Sequence, residues 1–182
     1  GWRLDDVVDL IRGPKGSLVR LQILPKNEPP GGATRVIQIR RDTIKLEEQA
    51  ARQSTLEIGT QESQILIGVI TIPTFYVDFD ARARGDNDYR STTRDVRRLL
   101  SELQEKEINA LIIDLRGNGG GALTEAISVT GLFINSGPIV QVRDQRGKVN
   151  IRKDPDPSIL YSGPLLIMVD RDSASASEIF AG

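Results

Sequence analysis

The chain of 182 residues contains no cysteine and no histidine. Without cysteine it can form no disulfide, no thiolate nucleophile and no zinc site with cysteine ligands. Without histidine it lacks the most frequent general base and the most frequent metal ligand of proteins. Any acid–base chemistry must therefore use Asp, Glu, Lys, Tyr or a chain terminus.

The chain also lacks a strong net charge and a long apolar segment. Its 24 basic and 25 acidic residues leave a net charge of −1, so no overall field attracts nucleic acid or anionic lipid. No apolar run approaches the roughly 20 residues of a membrane-spanning helix. We therefore predict no nucleic-acid partner and no stable insertion into a membrane. The chain begins with Gly-Trp-Arg and shows no signal peptide, which we interpret as a fragment of a longer protein.

The first part of the chain has the pattern of the end of a small domain. Residues 2–13 repeat apolar side chains at helical spacing, and residues 17–25 and 34–41 alternate as strands do, with a turn-rich loop between them. We predict a domain end over residues 1–42. The mixed, charged residues 43–63 are predicted to be a connecting segment.

From residue 64 onward, predicted strands alternate with predicted helices, which favours an α/β fold with a mainly parallel sheet. The strands are predicted over 64–75, 108–115, 138–144 and 163–170, and the helices over 91–107, over 122–133 and from about residue 173 to the end. The helix over 91–107 has one apolar face, formed by Val96, Leu99, Leu100 and Leu103.

A glycine-rich turn follows the apolar strand in "IIDLRGNGGGALTEA" (112–126). Gly117, Gly119 and Ala122 match the dinucleotide-binding pattern G-x-G-x-x-(G/A), but three consecutive glycines exceed what that pattern needs. A tight turn without a ligand is the second interpretation. An oxyanion hole, in which backbone N–H groups face a developing negative charge, is the third. A phosphate-binding P-loop is excluded because no Gly-Lys-(Ser/Thr) follows.

The chain closes on a serine-rich stretch, "DRDSASASEIFAG" (170–182), after an apolar strand. Strand-to-helix turns display nucleophilic serines in α/β proteins. Ser175 and Glu178 also match a capping box, which explains one serine but not three. A nucleophilic serine would need lysine as its base, and none of the six lysines lies in an apolar stretch that would lower its pKa. We therefore expect the base to be missing from this chain.

The glycine-rich and serine-rich stretches together resemble those of the carboxy-terminal processing peptidases, in their long Gram-negative periplasmic form. The resemblance extends to "GWRLDDVVDLIRGPKGS", "TIPTFY" and "SGPIVQVRD", so it spans essentially the whole chain. It implies a partial crotonase/ClpP-like serine protease core over residues 64–182, ending just after the nucleophile. It also implies that residues 1–42 are the C-terminal part of a PDZ domain.

The resemblance assigns roles to individual residues. It implies a Ser–Lys dyad with Ser175 as nucleophile and with a lysine from an "FGKG"-like segment that this chain lacks. The implied oxyanion donors are the backbone N–H groups of Gly120 or Gly121 and of Ala176. The residues expected to shape and cap the helix start are Ser173, Ser177 and Glu178. The candidate peptide-binding residues of the PDZ helix are Val7, Val8 and Ile11.

The function implied is an endopeptidase that degrades or processes proteins recognised by apolar, unstructured C-terminal tails, with an adaptor protein as a candidate partner. Its expected location is the periplasm, including the periphery of the inner membrane, and neither a metal ion nor a cofactor is expected. The fragment is predicted to be inactive. A non-catalytic PDZ-type peptide-binding module and, less favoured, a dinucleotide-binding protein remain alternatives.

Overall fold

The computed structural model describes residues 10, 11, 13–42, 49–60, 63–154 and 156–182. The chain divides into two compact units, Gly1–Lys45 and Leu46–Gly182. The division lies close to the predicted domain end at residue 42. Among the described residues, no helix combines the length and the apolar character needed to cross a membrane.

The first unit contains an antiparallel pair of strands, β1 (Leu18–Ile23) and β2 (Arg35–Arg40), as the alternating pattern predicted. The predicted helix is described only at Leu10 and Ile11, which are helical and exposed. The candidate peptide-binding residues Val7 and Val8 lie outside the described residues. The assignment of this unit to a PDZ domain stays a prediction.

The second unit alternates strands and helices and contains a four-stranded sheet and a separate two-stranded hairpin. Its strands are β3 (Arg52–Thr60), β4 (Ser63–Thr71), β5 (Ala110–Asp114), β6 (Gly137–Arg143), β7 (Val149–Asp154) and β8 (Leu165–Met168). Its helices are α1 (Phe79–Ala83), α2 (Thr92–Gln104), α3 (Leu123–Thr130) and α4 (Ala176–Ala181). The sheet has the order β3-β4-β5-β8, in which β4, β5 and β8 run parallel to one another.

Two predictions about strands need correction. Residues 52–60, which were predicted to lie in a connecting segment, form β3, and this strand pairs antiparallel with β4. The sequence pattern missed β7, whose side chains are polar or charged at most positions and almost all exposed. Strand β7 pairs antiparallel with β6 in a separate hairpin, so β6 does not belong to the parallel sheet.

The core lies where α2 and α3 pack on the parallel strands. The predicted apolar face of α2 is confirmed, because its four side chains are at most 4% exposed. They join β4 and β5 residues such as Ile70 and Ile113, which are fully buried. A buried carboxylate of α3 fastens the two helices: Glu125 accepts hydrogen bonds from Thr93 N and Thr93 Oγ1 at 2.8 and 2.6 Å. This packing fixes the strand ends from which the loops emerge.

The carboxyl ends of β5 and β8 lie side by side, since the strands are parallel neighbours with Asp114 opposite Met168. The glycine-rich turn follows β5, and the serine-rich turn follows β8. Both turns therefore emerge at the same edge of the sheet.

The glycine-rich turn also packs against the chain that continues from β4. The Ala122 N–H donates to the Phe75 carbonyl at 2.8 Å, and Phe75 N–H donates to the Gly120 carbonyl at 2.9 Å. A Cβ on Gly121 would lie 2.1 Å from the Phe75 carbonyl oxygen, and the φ of Gly121 is +144°. A side chain at this position would therefore meet both a clash and an unfavourable backbone conformation.

We expect Gly121→Ala to lower the free energy of unfolding by about 3 kcal/mol, because the added Cβ must displace backbone of a neighbouring segment. Gly119→Ala is the matched control, since a Cβ there meets no atom within 4 Å and its φ is not positive. Its effect should stay within about 0.5 kcal/mol. Chemical denaturation of both variants measures the difference, and equal stabilities would contradict the packing described.

Candidate active site

The structure brings Ser175 against the glycine-rich turn, as the roles implied for the nucleophile and the oxyanion donors require. Ser175 is the N-cap residue of α4 and is exposed. A Cβ on Gly120 would lie only 2.8 Å from the Ser175 Cβ and 2.9 Å from the Ala174 carbonyl oxygen. Glycine at position 120 is thus needed for the close approach of the two turns, and its φ of +106° adds to that need.

The backbone of Ser175 adopts a conformation that is rare for a residue with a side chain, with φ +56° and ψ −112°. Such strain costs about 1–3 kcal/mol and persists only where the surrounding structure imposes it. A strained serine on a sharp turn between a strand and a helix is the geometry of a nucleophile elbow, which exposes the hydroxyl.

The capping box proposed for Ser175 and Glu178 is also present. The Ser175 N–H donates to Glu178 Oε2 at 2.7 Å, and the Ser175 side chain faces the Glu178 N–H. However, capping serines ordinarily have the extended backbone of the β region, with negative φ. Capping therefore explains the contact with Glu178 but not the conformation of Ser175.

The two flanking serines hold the turn in place. Ser173 Oγ donates to the Leu115 carbonyl at 2.8 Å, at the end of β5. Ser177 is fully buried, and its Oγ donates to the Asn118 carbonyl at 2.9 Å. Each hydroxyl binds a carbonyl near the glycine-rich turn, which accounts for two of the three serines structurally and leaves Ser175 as the exposed one.

Sequence reasoning missed Asn118, which joins three segments. Its side chain is fully buried; Nδ2 donates to the Ile72 carbonyl and Oδ1 accepts from Gly120 N–H, both at 2.8 Å. Its backbone carbonyl accepts from Ala174 N–H at 3.0 Å, besides the Ser177 hydroxyl. An asparagine inside a glycine cluster was the only available signal, and turn chemistry explained it equally well.

Asp170, at the start of the serine-rich turn, was also missed as a site residue. Its Oδ1 accepts from Gly117 N–H at 3.0 Å and from Asp172 and Ser173 N–H at 3.1 Å each. These N–H groups, that of Gly117 foremost, hold the pKa of the Asp170 carboxyl below its usual range. The carboxylate thus ties the beginning of the glycine-rich turn to the serine-rich turn.

The predicted oxyanion donors differ in availability. The Gly120 N–H already donates to Asn118 Oδ1, so in this arrangement it is not free for a ligand. Within the part of the chain that the structure describes, the N–H groups of Gly121 and Ala176 donate to no other group. Ala176 N lies 3.1 Å from the position that a Cβ of Gly120 would occupy. Gly120 therefore positions the turn, whereas Gly121 and Ala176 retain free donors.

The described lysines do not form part of this arrangement. Lys15, Lys26, Lys106, Lys148 and Lys153 are all exposed, and Lys45 lies outside the described residues. Over the described ranges, no group of three or more acidic side chains is placed to hold a metal ion.

Comparison with known proteins places this geometry in a family. The model of peptidase family S41 matches residues 66–182, which include both turns. The chain is 44% identical over 181 residues to the tail-specific protease of Haemophilus influenzae, covering all of this chain and 23% of that protein. It is 32% identical to the chloroplastic carboxyl-terminal-processing peptidase 2 of Arabidopsis thaliana, covering 97% of this chain and 31% of that protein.

The fold agrees with a solved structure of the same kind. The photosystem II D1 C-terminal processing protease superposes with a TM-score of 0.68 at 24% identity, covering 98% of this chain and 43% of that one. The chain thus spans less than half the length of each of these proteins. Since the α/β core matches in fold and the family match takes in more than half of the chain, including the strained serine and the glycine-rich turn, the chain belongs to peptidase family S41.

Proposed function

We propose that this chain carries the nucleophile and the oxyanion donors of a serine endopeptidase that acts on C-terminal segments of proteins. The observation that carries the proposal is the strained, exposed Ser175, packed against a glycine-rich turn with a free N–H. Membership of family S41 and the names of the similar peptidases support the reaction class.

In the proposed reaction the Ser175 Oγ attacks the carbonyl carbon of the scissile peptide bond and loses its proton to a base. The new C–O bond places negative charge on the carbonyl oxygen, toward which the Gly121 and Ala176 N–H groups would donate. The C–N bond then breaks, the amine leaves with a proton from the base, and water hydrolyses the acyl-enzyme. Preorganised donors of this kind contribute about 3–4 kcal/mol each to catalysis.

The neighbouring residues hold the nucleophile and the oxyanion donors in place through hydrogen bonds. Asn118 holds Gly120, and Ser173 and Ser177 hold the backbone on either side of Ser175. Glu178 accepts from Ser175 N–H and so fixes the residue whose hydroxyl reacts. We propose these as positioning residues, because their hydrogen bonds are satisfied within the protein.

The base is proposed to be a lysine that forms a dyad with Ser175 and is supplied from outside this chain. A lysine serves as a base only when its surroundings favour the neutral amine, as desolvation does. The exposure of the five described lysines supports the proposal that none of them serves, and the chain by itself should be inactive.

The remaining features of the proposal rest on the family resemblance. We propose that residues 1–42 belong to a PDZ domain, in which Ile11 and its helix would face apolar, unstructured substrate tails, with delivery by an adaptor protein. We propose a periplasmic location, including the periphery of the inner membrane. Dinucleotide binding is disfavoured, because the N–H groups of Gly117 and Ala122, two positions of that pattern, both donate to groups within the protein.

The three serines should differ sharply when replaced in the complete protein that carries this chain. We expect Ser175→Ala to lower the rate of casein cleavage by about 10⁴-fold or more, since it removes the nucleophile. Ser173→Ala and Ser177→Ala each remove one positioning contact and should lower it by about tenfold. Labelling by a fluorophosphonate probe should follow the same order. An active, labelled Ser175→Ala variant would exclude this serine as the nucleophile.

The 182-residue chain alone should not cleave casein, because a serine without a base is a weak nucleophile. Fluorescence release from labelled casein measures this, with the Ser175→Ala chain as the blank. Cleavage that disappears in Ser175→Ala would show that a lysine within the chain is the base, and the proposed external lysine would be wrong.

The strain at Ser175 has a measurable consequence for stability. Glycine adopts a φ of +56° without penalty, so Ser175→Gly should exceed Ser175→Ala in free energy of unfolding by about 2 kcal/mol. Both variants remove the hydroxyl, so the comparison isolates the backbone. Chemical denaturation of the chain tests it, and equal stabilities would mean that the backbone at Ser175 is not strained.

A further inference from the structure

A basic groove lies beside the proposed site, between α1, the first turns of α3 and β7. Its volume is about 510 Å³. Three of its lining residues are cationic, Arg82, Arg152 and Lys153, and none is acidic. We name it the basic groove by these three residues.

The cations of the basic groove lack carboxylate partners, considering the residues that the structure describes. The Arg82 guanidinium lies over the Tyr89 ring at 5.7 Å from its centroid, and Arg152 and Lys153 form no ion pair. Some other arginines of this unit are paired with carboxylates, as in Arg98–Glu102 at 2.6 Å and Arg94–Asp88 at 2.6 Å. The groove therefore concentrates uncompensated positive charge on a chain whose net charge is −1.

The nearest acidic side chain in sequence does not neutralise the groove. Asp154 follows Lys153 in β7, but it is buried and faces Gly131, where a Cβ would lie 2.6 Å from its Oδ2. Its Oδ1 accepts from Asp156 N–H at 3.1 Å. The carboxylate of Asp154 is thus directed to the interior.

The basic groove also has an apolar side, formed by Leu123, Ile127 and Ile151. Leu123 and Ile151 are exposed by 36% and 57%. A lining that combines cations with aliphatic residues suits a polypeptide better than a single-stranded nucleic acid, because grooves for the latter combine cations with aromatic side chains that stack on the bases, and none of the lining residues is aromatic. Leu123 follows Gly121 by two positions, so the groove begins where the glycine-rich turn ends.

We propose that the basic groove binds an acidic segment of the substrate polypeptide, with Asp or Glu side chains against the three cations and an aliphatic side chain against α3. This inference rests on the proposed function for the identity of the ligand as a substrate. Complementary charge raises association rates and discriminates between segments more than it adds affinity. The groove would therefore favour substrates with acidic residues near the cleaved bond.

Binding can be measured without catalysis, by fluorescence anisotropy of two short labelled peptides on the 182-residue chain. One peptide alternates Glu and Leu, and the other alternates Lys and Leu. The acidic peptide should bind more tightly, and salt should weaken its binding by screening. Arg152→Glu with Lys153→Glu should weaken it by about tenfold.

The matched control is Arg146→Glu with Lys148→Glu, which makes the same charge change in the turn of the same hairpin but outside the groove lining. Its effect should stay within about twofold. Circular dichroism checks that both variants fold, and Arg152→Gln with Lys153→Gln, which conserves side-chain polarity, should give an intermediate loss.

Three results would overturn the proposal: equal binding of the two peptides, equal loss in the groove and turn variants, or tighter binding of a single-stranded oligonucleotide than of the acidic peptide. The proposed function fails separately, if fluorophosphonate labelling of the complete protein does not depend on Ser175. Peptide binding involves no reaction at Ser175, so either proposal can fail while the other holds.

Discussion

The arrangement of the candidate site depends on the hydrogen bonds of one buried side chain, Asn118. Its side-chain amide donates to the Ile72 carbonyl, just after β4, and accepts from the Gly120 N–H of the glycine-rich turn. Its backbone carbonyl accepts a hydrogen bond from the Ser177 hydroxyl of the serine-rich stretch. A carboxylate in its place could not donate, and an aliphatic side chain could do neither. Buried polar groups are costly when unpaired, so this position requires a side chain that can both donate and accept a hydrogen bond.

The strain at Ser175 is sustained by the same network. The left-handed backbone of a serine costs about 1–3 kcal/mol. The hydroxyls of Ser173 and Ser177 fasten the turn on both sides of it, and each of these two hydrogen bonds contributes about 1 kcal/mol. The Asp170 carboxylate also accepts from the Gly117 and Ser173 N–H groups. The positioning bonds together are thus large enough to hold Ser175 exposed, in a conformation that its own capping box does not require.

Local sequence patterns predicted those helices and strands whose apolar side chains follow a regular spacing or form an unbroken run. The apolar face of α2 repeats at 3.6 residues because one side of the helix is buried, and β4 and β5 are strongly apolar because they place fully buried side chains such as Ile70 and Ile113 in the core. Strand β8 was predicted from its apolar run, although its Leu165 and Leu166 are exposed. Strands β3 and β7 were not predicted, since they lie at edges where most side chains remain exposed and polar residues are tolerated. Backbone pairing, which carries no residue signature there, makes them strands.

The sequence by itself determined which chemistry was available and which turns would carry it. The absence of histidine and cysteine excluded most nucleophile–base pairs, and the glycine-rich and serine-rich stretches were distinctive enough to indicate the family. Only the tertiary structure decided which hydroxyl and which N–H groups are free. Ser173, Ser175 and Ser177 are the same residue in nearly the same context, and their roles depend on carbonyls almost sixty positions away. Those carbonyls come within hydrogen-bonding distance because β5 and β8 pair in parallel. This pairing joins strands that are far apart in the chain, so local sequence patterns do not predict it.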